Sequence, residues 1–307
     1  MRVVTLLPSA TEIVCALGAE DNLVGVSHSC DYPASVRQLP RLTSTHVPYT
    51  ASSDVIDTYV REHLTGHEAL YDLDVEGLKQ AAPDVVVSQA LCDVCAVATG
   101  DVLDAIHSLP SKPTLVDLEP NTLDEVLDDI RRVGAALNAS GEAAEVLSGL
   151  QRRREEVAER TATIPEVDRP RVAFLEWLIP PFNGGHWNPE LVEIAGGIDL
   201  LGAPGKPSST QDWQTIVEAE PDVIFIACCG FDTDRALEDV TEISQTDAWQ
   251  RLPAARDGLV FVTDGDYFSC PGPRLIDGLE ILAHALHPDV HPAPGVGRAK
   301  TVAGTSE

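Results

Sequence analysis

Short runs of β-branched residues punctuate this chain, and segments of helical period fill the spaces between them. Arg2–Leu7 is a nearly unbroken apolar run, the pattern of a parallel strand buried on both faces. Further strands are predicted over 23–26, 85–88, 114–118, 171–175, 223–227 and 260–263, with helices over 54–64, 75–81, 102–108, 123–137, 191–195, 214–219 and 275–286. A helix is also expected after Leu7, with Ser9 as cap and Glu12 three residues on, a capping-box pattern. The 140–163 stretch SGEAAEVLSGLQRRREEVAERTAT starts on a good N-cap, Ser140. It carries a narrow apolar stripe at Ala143, Ala144, Val146, Leu147, Leu150 and Val157. At 1.5 Å per residue it makes a rod of about 34 Å.

The grammar before that rod returns after it. Residues 81–92 (AAPDVVVSQALC) and 219–229 (AEPDVIFIACC) each read as a helix end, a Pro-Asp turn, a β-branched strand and cysteine. A second pair, PSATEIVCALGAEDNLVG from Pro8 and NPELVEIAGGIDLLG from Asn188, shares a short capped helix, a glycine stop and a short apolar strand. The fold class that follows is α/β, as two lobes of similar build bridged by one long helix. The expected boundaries are a first lobe at 1–139, the bridging helix at 140–164, a second lobe at 165–288 and a flexible tail at 289–307.

Composition narrows the partners. The chain has 307 residues and a formal net charge of −28, with 49 acidic residues against 21 basic ones. Such a surface repels nucleic acid and anionic membrane. The acids are spread along the whole chain, which suits adaptation to high internal salt better than an acidic site for a cationic substrate. No apolar run approaches the roughly 20 residues of a membrane span. The N-terminal run leads straight into Pro8-Ser9 without a cleavage or lipidation pattern, so a cytoplasmic monomer is expected as written, and an exported protein if the true start lies upstream.

Candidate chemistry gathers beyond the C-terminal ends of predicted strands, where ligands bind in open α/β sheets. Ser27-His28-Ser29-Cys30-Asp31-Tyr32-Pro33 follows one strand. Glu176-Trp177 and the Gly/Pro loop 180–187 follow another, bringing Phe182, His186 and Trp187; the tryptophans either cap the core or offer a flat face to a large ligand. Asp264–Arg274 follows the last strand, with Asp266, Tyr267, Phe268 and Cys270. Seven cysteines in a reducing compartment point to metal, redox or core roles. The Cys92/Cys95 pair has the C-x-x-C spacing for one metal or a redox pair, and Cys228-Cys229 occupies the corresponding loop of the second half. A soft ion such as zinc is what that set would take. The chain has no P-loop, no G-x-G-x-x-G after a strand, no G-x-S-x-G and no H-E-x-x-H, so an enzyme is the reading the residues support least.

The ordered motifs LLPSATEIVCALG at 6–18, HSCDYP at 28–33, IPPFNGGHWNPELVEIAGG at 179–197, WQTIVEAEPDVIFI at 213–226 and DGDYFSCPGPRLIDGLEIL at 264–282 carry a resemblance. Over residues 2–287 the chain resembles the cobalamin-binding family of helical-backbone substrate-binding proteins that serve ATP-driven importers, the class III periplasmic-binding-protein type. Relatives in that family bind cobalamin, haem or iron siderophores. The resemblance implies two Rossmann-like lobes on one stiff helix and a corrinoid held in the inter-lobe cleft without covalent chemistry. It implies ligand contacts at Ser29 and Tyr32, at Phe182 and Trp187, and at Asp266, Tyr267 and Phe268. Where the cobalamin importer's protein carries an arginine, this chain has Cys270. The glutamates that dock such proteins on an ABC permease have no counterpart at matching positions; Thr99-Gly100-Asp101 stands near the first. The function expected is therefore corrinoid binding, for an ABC-type uptake system or as a cytoplasmic carrier, with a soft-metal or metal-chelate receptor built on the cleft cysteines as the alternative.

Overall fold

The computed structural model describes residues 1–66, 70–89 and 99–303; Cys92 and Cys95 lie outside them. Two compact units emerge, one formed by Met1–Pro120 and Asp124–Gly149, the other by Asn121–Leu123 and Leu150–Glu307. The helix Ser140–Thr161, 22 residues long, starts in the first unit and ends in the second.

The strands of the first unit are β1 (Val3–Thr5), β2 (Leu23–Gly25), β3 (Thr43–Thr45), β4 (Tyr71–Leu73), β5 (Val85–Gln89) and β6 (Thr114–Leu118). Four of them form a parallel sheet in the order β2-β1-β5-β6. Val3, Val4, Val86 and Val87 are wholly buried, as a strand covered on both faces requires. The order reverses between β1 and β5, the kind of switch point beside which open α/β sheets bind ligands at their strands' C-terminal ends. β3 and β4 pair antiparallel outside this sheet. The loop expected over 43–49 thus begins with a strand, too short for its alternation to register.

The second unit contains β7 (Arg171–Leu178), β8 (Pro181–Asn183), β9 (Ile198–Asp199), β10 (Val223–Ile226), β11 (Val260–Val262) and β12 (Lys300–Val302). Their order is β12-β11-β10-β7-β8, with β9 also beside β7. β7, β9, β10 and β11 run parallel, and β8 and β12 run antiparallel to their neighbours. Phe174 from β7, Phe225 from β10 and Phe268 are almost fully buried, with ring centroids 5.2–5.5 Å apart. The C-terminal half of the long helix is pinned to helix Leu275–Leu286 by Arg153, which donates to Glu280 at 2.8 Å from both Nε and Nη2 and to Asp277 at 2.6 Å. A forked, partly desolvated pair of this kind holds geometry better than a surface ion pair does.

Three expectations change here. The 180–187 loop contains β8, an edge strand that tolerates Pro181 because its outer side needs no donor. The tail does not fray throughout: β12 covers the free edge of β11, and His291 is 2% exposed with Nε2 3.2 Å from Thr161 Oγ1. A strap held at a few points looks like a loop in composition. The capping box is absent as well. Pro8 takes the first helical position, the cap residue is Leu7, and Ser9 Oγ is buried without a hydrogen-bond partner among the described residues.

One buried carboxylate in the first unit yields a test. Helix Leu123–Ala136 buries Val126, Ile130 and Val133, and Asp129 lies among them, 3% exposed. Arg132 donates to Asp129 Oδ1 at 2.6 Å, whereas Oδ2 finds no partner among the described residues. Burial pushes this carboxyl up to about 6, with Arg132 opposing the rise. A raised folded-state value means that the group's stabilising contribution is full below the ordinary 3.8 and is lost as pH rises through about 6. Asp129→Asn should therefore raise the thermal midpoint at about pH 8, and the gain should shrink toward about pH 5. A gain of equal size at both pH values, or none at pH 8, would contradict this account.

Candidate ligand-binding faces of the two units

In the first unit the 27–33 turn follows β2 and sits beside the end of β1. A chain of hydroxyls and one thiol fixes it from below: Thr5 Oγ1 to Thr11 Oγ1 at 2.6 Å, Thr11 Oγ1 to Cys30 Sγ at 3.0 Å, Cys30 Sγ to Ser27 Oγ at 3.1 Å, and Ser27 Oγ to Ser29 Oγ at 3.1 Å. Arg41 ties it from the side, donating to the carbonyls of Ser27 (2.9 Å) and Cys30. His28 bonds Thr43 through its backbone N–H and Nδ1, and its ring stacks on Tyr71 at 5.4 Å. Burial, and then Arg41, lowers the His28 pKa, and burial raises that of the Cys30 thiol. Neither group is set up for reactivity. The fixed turn carries Ser29 and Tyr32 at its surface, and Tyr32 is 51% exposed.

In the second unit the face is built around the end of β7. A bulge between Leu175 and Trp177 breaks the register at Glu176. The Glu176 carboxyl is half-buried and accepts from Gly185 N–H at 3.1 Å, from Asn188 Nδ2 at 3.5 Å and from the Ser208 hydroxyl. Burial raises its pKa against those bonds. Asn183 Oδ1 gathers Ser209 N–H (3.0 Å), Ser209 Oγ (2.8 Å) and Gln211 Nε2 (2.8 Å). His186 holds φ +53°, a strained value for a residue with a Cβ, and its N–H donates to the Lys206 carbonyl at 2.6 Å. Its imidazole is half-buried, which lowers its pKa. Trp177 lies 4.8 Å from Phe231, whose ring also meets the Arg235 guanidinium at 4.3 Å. On the following segment Arg274 sits 3.5 Å from Asp266 and 5.6 Å from the centre of the Tyr267 ring.

The expected site residues divide into two groups. Ser29, Tyr32, Phe182, His186, Asp266 and Tyr267 keep surface available. Trp187, Phe268 and Cys270 are buried, at 4%, 1% and 9% exposure. Trp187 Nε1 donates to the Phe268 carbonyl at 2.8 Å and so fastens the Gly185–Trp187 turn to helix Asp266–Ser269. An aromatic ring in a Gly/Pro-rich stretch looks exposed in sequence, and nothing local shows that it turns inward. Cys228 is buried with its pKa raised by burial, and its neighbour Cys229 is exposed. Among the described residues no group of three or more His, Cys, Asp or Glu side chains is placed to hold a metal ion. What sequence reasoning missed is the Glu176 carboxylate itself; the signal was a lone glutamate inside the apolar run Phe174-Leu175-Glu176-Trp177-Leu178.

Gly185 offers a direct test of this architecture. A Cβ at this position would stand 2.2 Å from Ser208 N and 2.8 Å from the Pro207 carbonyl carbon, so the 206–208 backbone would have to move. Gly185→Ala should cost about 2 kcal/mol of stability, read from the urea midpoint at constant slope. An unchanged midpoint would mean that the two loops are not in contact.

The periplasmic binding protein family matches residues 3–267. The uncharacterized ABC transporter substrate-binding lipoprotein YvrC of Bacillus subtilis is 23% identical over 293 residues, 94% of this chain and 80% of that protein. A vitamin B12-binding protein of Vibrio cholerae is 24% identical over 281 residues, 91% of this chain and 86% of its own length. Among solved structures, a periplasmic heme binding protein from Pseudomonas aeruginosa aligns over 99% of both chains, with a TM-score of 0.72 and 20% identity. The periplasmic vitamin B12 binding protein BtuF of Vibrio cholerae aligns over 94% of this chain and 96% of its own, with a TM-score of 0.68 and 21% identity. Among the described residues no helix is long and apolar enough to cross a membrane. With the family matched from β1 through Tyr267, and the α/β fold shared along nearly the whole length of these solved structures, the chain belongs to the periplasmic binding protein family.

Proposed function

We propose that this protein captures cobalamin or a related corrinoid as the substrate-binding component of an ABC-type importer, holding it without covalent chemistry. The observation that carries the reading is Tyr32. It is a half-exposed aromatic ring on a turn fixed by side-chain hydrogen bonds beyond the C-terminal end of β2, the end at which an open parallel sheet takes its ligands. A large ring exposed on a rigid base costs little entropy to bind, which is what capture of a flat ligand needs. The ligand class comes from the relatives named vitamin B12-binding proteins, which align over most of this chain. We assign the contacts to Ser29, Tyr32, Phe182, His186, Asp266 and Tyr267, with Trp187, Phe268 and Cys270 supporting them from the core. An ABC permease is the partner, and the protein works outside the cytoplasm, a reading supported by relatives named as a substrate-binding lipoprotein and as a periplasmic binding protein.

A second reading, heme in the same role, has its own support. Solved relatives of this fold bind heme, and an exposed phenol such as Tyr32 is a known type of iron ligand. One titration separates the two. Aquocobalamin added to the purified protein should give saturable calorimetric heat at micromolar concentration, and Tyr32→Ala should weaken it about tenfold. Saturable hemin binding with a phenolate absorption band lost in Tyr32→Phe, and no heat from aquocobalamin, would replace the corrinoid reading with the heme one. Absence of both removes tetrapyrrole capture altogether.

A further inference from the structure

We propose that Glu176 is a positioning residue for the ligand face of the second unit: its half-buried carboxylate clamps the turn carrying His186 and the 206–209 loop to the end of β7. The inference rests on the reading that this face takes the ligand. Glu176 touches three separate segments. Its carboxyl accepts from Gly185 N–H and Asn188 Nδ2 on the turn and from Ser208 on the loop, and its own carbonyl accepts from Cys229 N–H at 3.0 Å. The bulge at Glu176 displaces this residue from the regular ladder and accompanies its reach between segments.

Stability alone does not explain a carboxylate in this place. The influences acting on it are burial and those hydrogen bonds, with no charged side chain among them, so its ionised form costs free energy that no ion pair returns. An apolar side chain of the same shape would avoid that cost but would leave the Gly185 N–H and the Asn188 and Ser208 donors without this acceptor. What the carboxylate supplies instead is an acceptor that several donors can share. Those donors fix the backbone on which His186 holds its strained φ of +53°, a conformation that persists only where neighbours over-determine it. The turn ends at Trp187, which is already tied to Phe268. Glu176 therefore fastens the near end of the turn and Trp187 the far end. Phe182, whose backbone bridges to Thr210 just beyond the clamped loop, is held in the same frame.

Two variants test this. Glu176→Gln keeps an acceptor in place; Glu176→Met keeps the shape and removes it. The Met variant should exchange the Gly185 amide hydrogen faster and bind aquocobalamin about tenfold more weakly. The Gln variant should match the parent in exchange and affinity. Two results overturn the proposal: a Met variant with parental Gly185 exchange and parental affinity, or a Gln variant that loses as much affinity as Met. If the parent binds neither aquocobalamin nor hemin, the functional reading fails, and Gly185 exchange still decides whether the clamp exists.

Discussion

The candidate ligand face of the second unit stands on the contact among Phe174, Phe225 and Phe268. These rings join the two central parallel strands, β7 and β10, to helix Asp266–Ser269, and they are close to fully buried. Edge-on and offset packing of this kind adds to the area the rings bury, and it admits few alternative arrangements. Every segment of the face attaches to that triad within one or two steps. Trp187 hangs from the Phe268 carbonyl, and Gly184 approaches the Phe174 ring so closely that a Cβ there would lie 2.5 Å from it. Gly265, which opens the 266–269 helix, lies against the Cys228 carbonyl, where a Cβ would stand at 1.9 Å. The surface residues can be few because the frame beneath them is rigid.

Electrostatics works differently in the two faces. In the first unit the base of the turn is a chain of hydroxyls passing through the Cys30 thiol, and Arg41 and Arg37 donate to its backbone carbonyls. In the second a carboxylate sits half-buried among neutral donors, and the exposed acid Asp266 is faced by Arg274. Both solutions meet the same constraint: polar backbone at the ends of buried strands must be satisfied once ligand or protein excludes water.

Much of this was legible in the sequence, and the reason is physical. The strands Val3–Thr5, Val85–Gln89 and Val223–Ile226 are buried on both faces, so their residues are almost all β-branched or apolar and announce themselves. Helix Ser140–Thr161 is legible for a different reason: one side packs inward and carries the apolar stripe, and the other stays in solvent and carries the charges. Two elements that escaped did so for different reasons. β8 pairs with β7 across a tight turn, and its leading prolines read as loop; β12 finds β11 from some forty residues away. The site was half legible. Position beyond a strand end could be read, which located the 27–33 turn and the 180–187 segment. Direction could not. Tyr32 and Phe268 look alike as aromatics in polar loops, yet one is half exposed and the other is core.

That distinction bears on how one fold carries proteins named for heme and for vitamin B12. If most aromatic residues near the face are structural, as Trp187 and Phe268 are here, they hold the frame and leave ligand choice to the few side chains that stand clear of it. Exchange of a surface residue such as Tyr32 or Phe182 then leaves the core packing untouched, because its contribution to burial is small. Exchange of a frame residue disturbs the strands themselves. Ligand preference can thus shift at low cost in stability, and identity of about 20% is compatible with a shared frame and divergent ligands. Cys270 fits this division: it is buried beside the triad's helix, so its difference from an arginine at that point alters the support of Asp266 and Tyr267 before it alters any surface the ligand could touch.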